Sequence, residues 1–354
     1  MSNQIPGPKN QSLDDLSAYL GREFAFEGVD EVTRSDIRRK LEVHCFYCPI
    51  HYEEDAAKAH GYRTLVAPNT MTSLWAMPAY WSPGEPMFFG PPGQSEKVGG
   101  VQLDIPTSYT NTVNAETQWE FFEPVYPGDR LRGIRKLVDI KPRRTRVGDG
   151  VFLTGETTIW KQTGELVATN RNTGYHYNEN PDGAKELQAA PIVGPLAPES
   201  PPERVPAVDW SHQRYLEDLT VGEQVPSHQV WLTYQRIMMG AAADRMFSSM
   251  HHNRDYAREA GLADIIFNTK GYELLAEITL RKWIGLDGRL KRLGPFRMSQ
   301  NSYPGDTVIC RARVIGTQVL DRQGIASLEI WYETPRKGEM ARGEAVIGLP
   351  LRRH

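Results

Sequence analysis

The sequence predicts an α+β protein made of two related halves, each a helix packed against an antiparallel sheet. Three observations predict it. The chain repeats itself in order, each repeat runs from helical to strand-like patterning, and a proline-dense stretch separates the two. The 354 residues suit two domains at about 150 residues each. Shifted by 200 positions, Thr33 falls on Thr233, Ile37 on Ile237, His51 on His251, Ala57 on Ala257 and Gly61 on Gly261. Tyr126-Pro127-Gly128-Asp129 matches Tyr303-Pro304-Gly305-Asp306 at a shift of 177, so the first half carries 23 more residues between those landmarks. Residues 82–106, dense in Gly and Pro, supply them. An ordered series in two registers, reconciled by one insertion, reads as a duplication.

The elements follow in order. Residues 12–177 form the first domain. It opens with a helical stretch at 33–44, then a short segment carrying His51, then a helix near 70–81 cut short by the insert. Strands are predicted at 115–122, 129–140, 151–160 and 164–175. Residues 178–209 hold seven prolines, a density that supports neither helix nor central strand, and read as a semi-rigid linker. The second domain, 210–354, repeats the pattern, with helices at 233–246 and 270–284 and strands at 295–301, 306–316, 325–333 and 341–350. In 270–284 the residues Leu274, Leu275, Ile278 and Trp283 recur at helical spacing.

Composition excludes several functions. Lys and Arg number 41 against 44 Asp and Glu, which gives no global field for nucleic acid. No apolar run approaches the ~18 residues of a membrane span. Three cysteines make no disulfide framework in a chain this long. Met1 to Gln11 is polar, without a basic-then-apolar signal, so the expectation is a cytoplasmic protein acting on a small molecule.

Both halves carry motif-like segments. The first has CPIHYEEDAAKAHGY, LVAPNTM and EPVYPGDRL; the second has YLEDLTVGE, MHHNRDYAREAGL and FRMSQNSYPGDTV. With these residues each half resembles a hot-dog domain of the MaoC-like (R)-specific enoyl-CoA hydratase/dehydratase family, and the chain a double hot-dog. The family's signature runs roughly G-D-x-N-P-[LIV]-H-x5-[AS]. Pro49-Ile50-His51 with Ala57 fits its second part, and His251 with Ala257 fits more loosely. The resemblance implies two tandem domains, each a central helix wrapped by a curved antiparallel sheet. It also implies hydration or dehydration of an α,β-unsaturated or 3-hydroxy acyl thioester of coenzyme A. A carboxylate and an imidazole would share the water, and a backbone N–H at the helix start would polarise the thioester carbonyl. No cofactor or metal is implied, and a homodimer is.

The sequence departs from the family's dyad. Five residues before the histidines stand Phe46 and Met246, which carry no proton. The acid nearest His251 is Asp244, whose register partner is His44. The catalytic expectation is therefore Asp244 and His251. Arg245, Thr269, Lys270 and Gly271 are expected to bind substrate, the backbone near Lys270 and Gly271 as the oxyanion donor and Lys270 also by pairing with a substrate charge. His51 and Asn69 are the pocket-lining counterparts in the first half. The departed dyad points to a substrate other than a straight-chain enoyl thioester. It also keeps open a non-catalytic acyl-binding or partner subunit, and a thioesterase on the same fold. Cys45 and Cys48, flanked by His44 and His51, have zinc-like spacing, but the register with 244–251 accounts for the segment without a metal. Lys141, Arg143, Arg144 and Arg146, and Arg281, Lys282, Arg289, Lys291 and Arg292, are basic clusters read as solvated faces.

Overall fold

The computed structural model describes residues 13–86, 105, 107–109, 111–145, 148–179 and 207–352. The polar start, most of the insert and nearly all of the predicted linker lie outside the described residues. Among these, no helix is long and apolar enough to cross a membrane.

The first half contains α1 (Leu13–Ser17), β1 (Glu23–Glu31), α2 (Arg34–Val43), α3 (Pro49–Tyr52), α4 (Glu54–Ala59) and α5 (Thr72–Trp75). Strands β2 (Asn111–Phe121), β3 (Arg130–Thr145), β4 (Gly148–Lys161) and β5 (Leu166–Glu179) complete it. The second contains β6 (Gln224–Trp231), α6 (Tyr234–Ala243), α7 (Arg254–Glu259), α8 (Thr269–Ile284), β7 (Arg289–Met298), β8 (Thr307–Leu320), β9 (Gln323–Thr334) and β10 (Gly338–Leu349). All ten strands lie in one antiparallel sheet of order β1-β3-β4-β5-β2-β7-β10-β9-β8-β6. The order reads the same from either end once each strand is exchanged for its register partner. The pseudo-twofold therefore passes between β2 and β7, where Glu116 faces Arg297 and Trp119 faces Leu293.

The duplication is visible bond by bond. Thr33 and Thr233 cap α2 and α6, each hydroxyl accepting from the amide three residues on. Both helices end in a left-handed residue, Cys45 at φ 51° and Arg245 at φ 53°. The two Tyr-Pro-Gly-Asp turns are alike. Tyr126 N donates to Asp129 Oδ2 and Tyr303 N to Asp306 Oδ2, with Gly128 and Gly305 at φ 90° and 91°. Only glycine holds such a φ without cost.

The halves differ in the central helix. In α8, 13 of 16 residues are buried, so it is a core helix covered on all sides rather than an amphipathic one. Its register partner is only the turn Asn69–Met71 with α5, which ends at Trp75. The expected helix to residue 81 is not formed. Pro78 disfavours helical geometry at Met77 and removes a donor. One apolar cluster nonetheless joins the halves, from Ile37 and Trp75 to Leu275 and Ile347. The architecture is the double hot-dog, with one long helix and one vestigial helix.

Candidate active site

The loop after α6 and the start of α8 place the chemistry. His251 lies in the turn Ser249–His251 and is buried. Its Nδ1 stands 2.9 Å from the carbonyl oxygen of Ile266. A carbonyl only accepts, so Nδ1 carries the proton and Nε2 the lone pair. Burial holds His251 below its ordinary pKa, against the opposing pull of the Ile266 carbonyl and the Asp244 charge. The ring is therefore a neutral imidazole at neutral pH.

Asp244 is the C-cap of α6 and is also buried. It comes within electrostatic reach of His251, but no hydrogen bond between them is formed among the described residues. Its Oδ2 accepts from Lys40 Nζ at 2.5 Å and from Asn268 Nδ2 at 3.0 Å. Lys40 belongs to α2, so the site draws on both halves. Asn268 is also the N-cap of α8, its Oδ1 accepting from Gly271 N at 2.7 Å. That bond corrects the expectation for Gly271, whose N–H already has an acceptor. The glycine serves packing, since a Cβ there would stand 2.2 Å from the Phe267 ring. Among the described residues no acceptor faces the N–H groups of Thr269 and Lys270. At a helix start these point outward along the positive end of the dipole.

Lys270 is not free to meet a substrate charge. Its ammonium pairs with Glu273 Oε2 at 2.9 Å and lies 4.4 Å from the centroid of the Trp119 ring. Arg245 donates to the Pro78 carbonyl at 3.4 Å. It lines a cavity of about 240 Å³ with Asp30, Asp36, Arg39, Leu74, Trp75, Met77, Ala242 and Ala243. The vestigial helix leaves that cavity between α2, α5 and α6.

The first half repeats the scaffold with other side chains at the acid position and the helix start. His51 Nδ1 lies 2.7 Å from the Val66 carbonyl, and burial drives the ring down to about 3. His44 stands where Asp244 stands in the second half, and neither of its ring nitrogens has a partner. The helix start is closed by Glu277 of α8. Its carboxylate accepts from Asn69 N, Thr70 N and Thr70 Oγ1, each at 2.8 Å. Burial pushes the Glu277 carboxyl up, and those donors pull it back. Asn69 thus binds the chain's own carboxylate, and its Nδ2 donates to Leu290 O.

Cys45 is exposed and Cys48 buried, and burial raises the Cys48 thiol to about 12, as suits a packing group. Of the second basic cluster, Arg281 is buried and donates to the carbonyls of Gly285, Leu286 and Gly288. It holds the α8 C-terminus rather than a solvated face. Arg146 lies outside the described residues. Sequence reading missed Lys40, Asn268, Glu273 and Glu277. Asn268 carried a signal, as an N-cap residue directly before the helical pattern. The other three are charges in helical segments, whose burial no local pattern reveals.

Comparison with known proteins agrees with this architecture. A family model described as FAS1-like, dehydratase domain region, matches residues 18–170. A probable enoyl-CoA hydratase alpha subunit of Thermomonospora curvata is 31% identical over 163 residues, 44% of this chain and 49% of that protein. The match therefore spans about half of that relative. A UPF0336 protein of Saccharopolyspora erythraea is 31% identical over 156 residues, 44% of this chain and 87% of that one. Among solved structures, a MaoC-like dehydratase superposes with TM-score 0.69 at 20% identity, covering 95% of this chain and all of the other. At that identity the likeness establishes the fold.

Proposed function

We propose that the chain, whose residues 18–170 match a dehydratase-region family model and whose fold is that of a MaoC-like dehydratase, is a hydro-lyase acting on an α,β-unsaturated or 3-hydroxy acyl thioester, with coenzyme A as the carrier. The observation that carries this is the His251 ring. Its proton is fixed on Nδ1 by Ile266 and its lone pair is left on Nε2, beside a buried carboxylate and the start of a long helix. In hydration, Nε2 takes a proton from water as the water oxygen bonds to Cβ. The π pair moves through Cα onto the thioester oxygen, and the N–H groups of Thr269 and Lys270 stabilise that charge. The enolate then collapses, and Cα takes the proton back from the imidazolium. Both Asp244 bonds fall on Oδ2, so Oδ1 is the atom to hold the water. Dehydration is the same path reversed.

The second half holds the site in this reading, because Glu277 occupies the corresponding donors of the first. The displacement of the carboxylate from five to seven residues before the histidine supports a substrate other than a straight-chain enoyl thioester. The test is the loss of enoyl absorbance with a panel of straight-chain, branched and ring-bearing enoyl-CoA thioesters, alongside a free-thiol assay. Thiol release without hydration would make the protein a thioesterase. Efficient turnover of crotonyl-CoA would remove the substrate restriction.

A partner-subunit reading has its own support. Phe46 and Met246 replace the usual acid in both halves, and the relative from Thermomonospora curvata is named an alpha subunit. Co-purification with a second hot-dog chain, with activity only in the complex, would favour it. Absent such a partner, a homodimer is the proposed assembly and the cytoplasm the proposed location.

A further inference from the structure

We propose that Lys40, contributed by the first half, is the positioning residue of the active site, holding the Asp244 carboxylate aimed beside His251. The inference rests on Asp244 and His251 being the reacting pair.

The duplication supplies an internal control. Helices α2 and α6 pack against each other, and their ends follow the same path. Phe46 N returns to Leu41 O as Met246 N returns to Ala241 O, each after a left-handed residue. The fold thus builds two equivalent corners, and the charges occupy one. Lys40 has Gly240 as its register partner, and Asp244 has His44. The corner made by Lys40 and Asp244 holds an ion pair at 2.5 Å with side-chain exposures of 2% and 8%. At the other corner His44 has no partner on either nitrogen. Backbone capping therefore does not require the pair.

The pair is also linked to the reacting groups. Asn268 donates to the same Oδ2 and accepts from Gly271 N, so the carboxylate, the cap of α8 and the helix start form one hydrogen-bonded run. His44 on the α2 cap feels the Lys40 charge together with Arg236 and His228, His251 on the loop feels Asp244, and Asn268 is a neutral donor. His252, next to His251, turns a nitrogen to the Phe247 carbonyl, and Arg245 turns to Pro78. Two donors on Oδ2 fix the rotation of the carboxylate, so Lys40 sets where Oδ1 can hold water.

The test uses the full chain and the thioester it turns over best. Lys40→Met should lower kcat at least tenfold while KM stays within about twofold of wild type. Lys40→Arg should restore most of kcat. Asp244→Asn should abolish most activity, and Lys40→Met on top of it should cost little more, since one acts through the other. Lys40→Gln, which can still donate a hydrogen bond, carries the same comparison if the methionine variant does not fold. If Asp244→Asn loses activity but Lys40→Met and Lys40→Gln keep the wild-type kcat, or if the two losses add in full, the role of Lys40 is refuted while the site stands. If Asp244→Asn keeps wild-type activity, the site assignment falls, and this proposal with it.

Discussion

At the scale of single residues, the histidines divide by what their second nitrogen can reach. His251 has one nitrogen fixed and one available, so His251→Ala should lower kcat/KM by about 10²–10⁴-fold, the usual contribution of a positioned acid–base group. Melting temperature, measured in parallel, should move little beside that loss. The base must be unprotonated, and burial holds its pKa below the ordinary 6.5. Hydration should accordingly be flat through neutral pH and fall only as the pH drops below that value. His44 makes the opposite prediction. Burial, reinforced by Lys40, Arg236 and His228, keeps it neutral with no partner. An orphaned buried polar group costs about 1–3 kcal/mol, so His44→Leu should leave stability at pH 7 unchanged or raised. The sign with pH follows. His44 binds a proton in the unfolded chain at pH values where the folded chain does not, so its contribution is intact above 6.5 and is lost as the pH falls. The variant should lose less melting temperature between pH 7 and pH 5 than the wild type, and an identical slope would refute this. That Asp244 and His251 come within electrostatic reach was legible, because a repeated motif put both in one loop. Lys40 was not, since a lysine between Arg39 and Leu41 has the look of a solvated helix face until the partner helix is in place.

Elements show where local pattern suffices. Eight predicted strands, two short helices and α8 are present because alternation, β-branched residues and cap residues are local signals. The structure extends them in β7, which begins at Arg289 rather than at Pro295 and crosses Gly294 and Pro295 with shifts of register against both neighbours. A proline inside a strand pattern suggests a boundary, and here a bulge absorbs it. The central helix of the first half was over-read, because TMTSLWAMPAYW has helical composition while Pro78 breaks its path. What the sequence hid entirely is that α8 serves both halves. Glu277 meets the donors at the vestigial helix start, and Glu273 accepts from Trp119 Nε1 at 3.0 Å. Glu277→Ala would leave three donors without an acceptor, and should cost about 2–4 kcal/mol, read as a lower denaturation midpoint at unchanged slope. Glu277→Gln keeps one acceptor and should cost less. Its kcat/KM, measured at a temperature where the chain stays folded, should lie within about twofold of wild type, because the group seals the half without the chemistry. A hundredfold fall in Glu277→Gln would move the active site to the first half.

For the whole molecule, the buried carboxylates of the second half decide whether the duplicated units are separable. Asp244 is met by Lys40, Glu273 by Thr117 and Trp119, and Glu277 by Asn69 and Thr70, all from the first half. The sheet adds to this, because β7 pairs with β2 and would otherwise present an unpaired edge. Removing one partner of a buried charge costs about 3–5 kcal/mol, and a domain holds only about 5–15 kcal/mol in all. Losing the Lys40 cation, the donors to Glu277 and the Thr117 and Trp119 donors to Glu273, which keeps Lys270, takes away most of what a domain holds. A fragment of residues 207–354 should therefore not fold alone at neutral pH, by circular dichroism or calorimetry, although its length is that of an ordinary domain. Co-expression with residues 1–179 should restore a soluble complex, since the partners just named all lie in that stretch. The intact protein should melt in one transition, with calorimetric and van't Hoff enthalpies in agreement. A 207–354 fragment that melts cooperatively near the temperature of the full chain would show that the two halves are independent domains, and that the carboxylates find water instead.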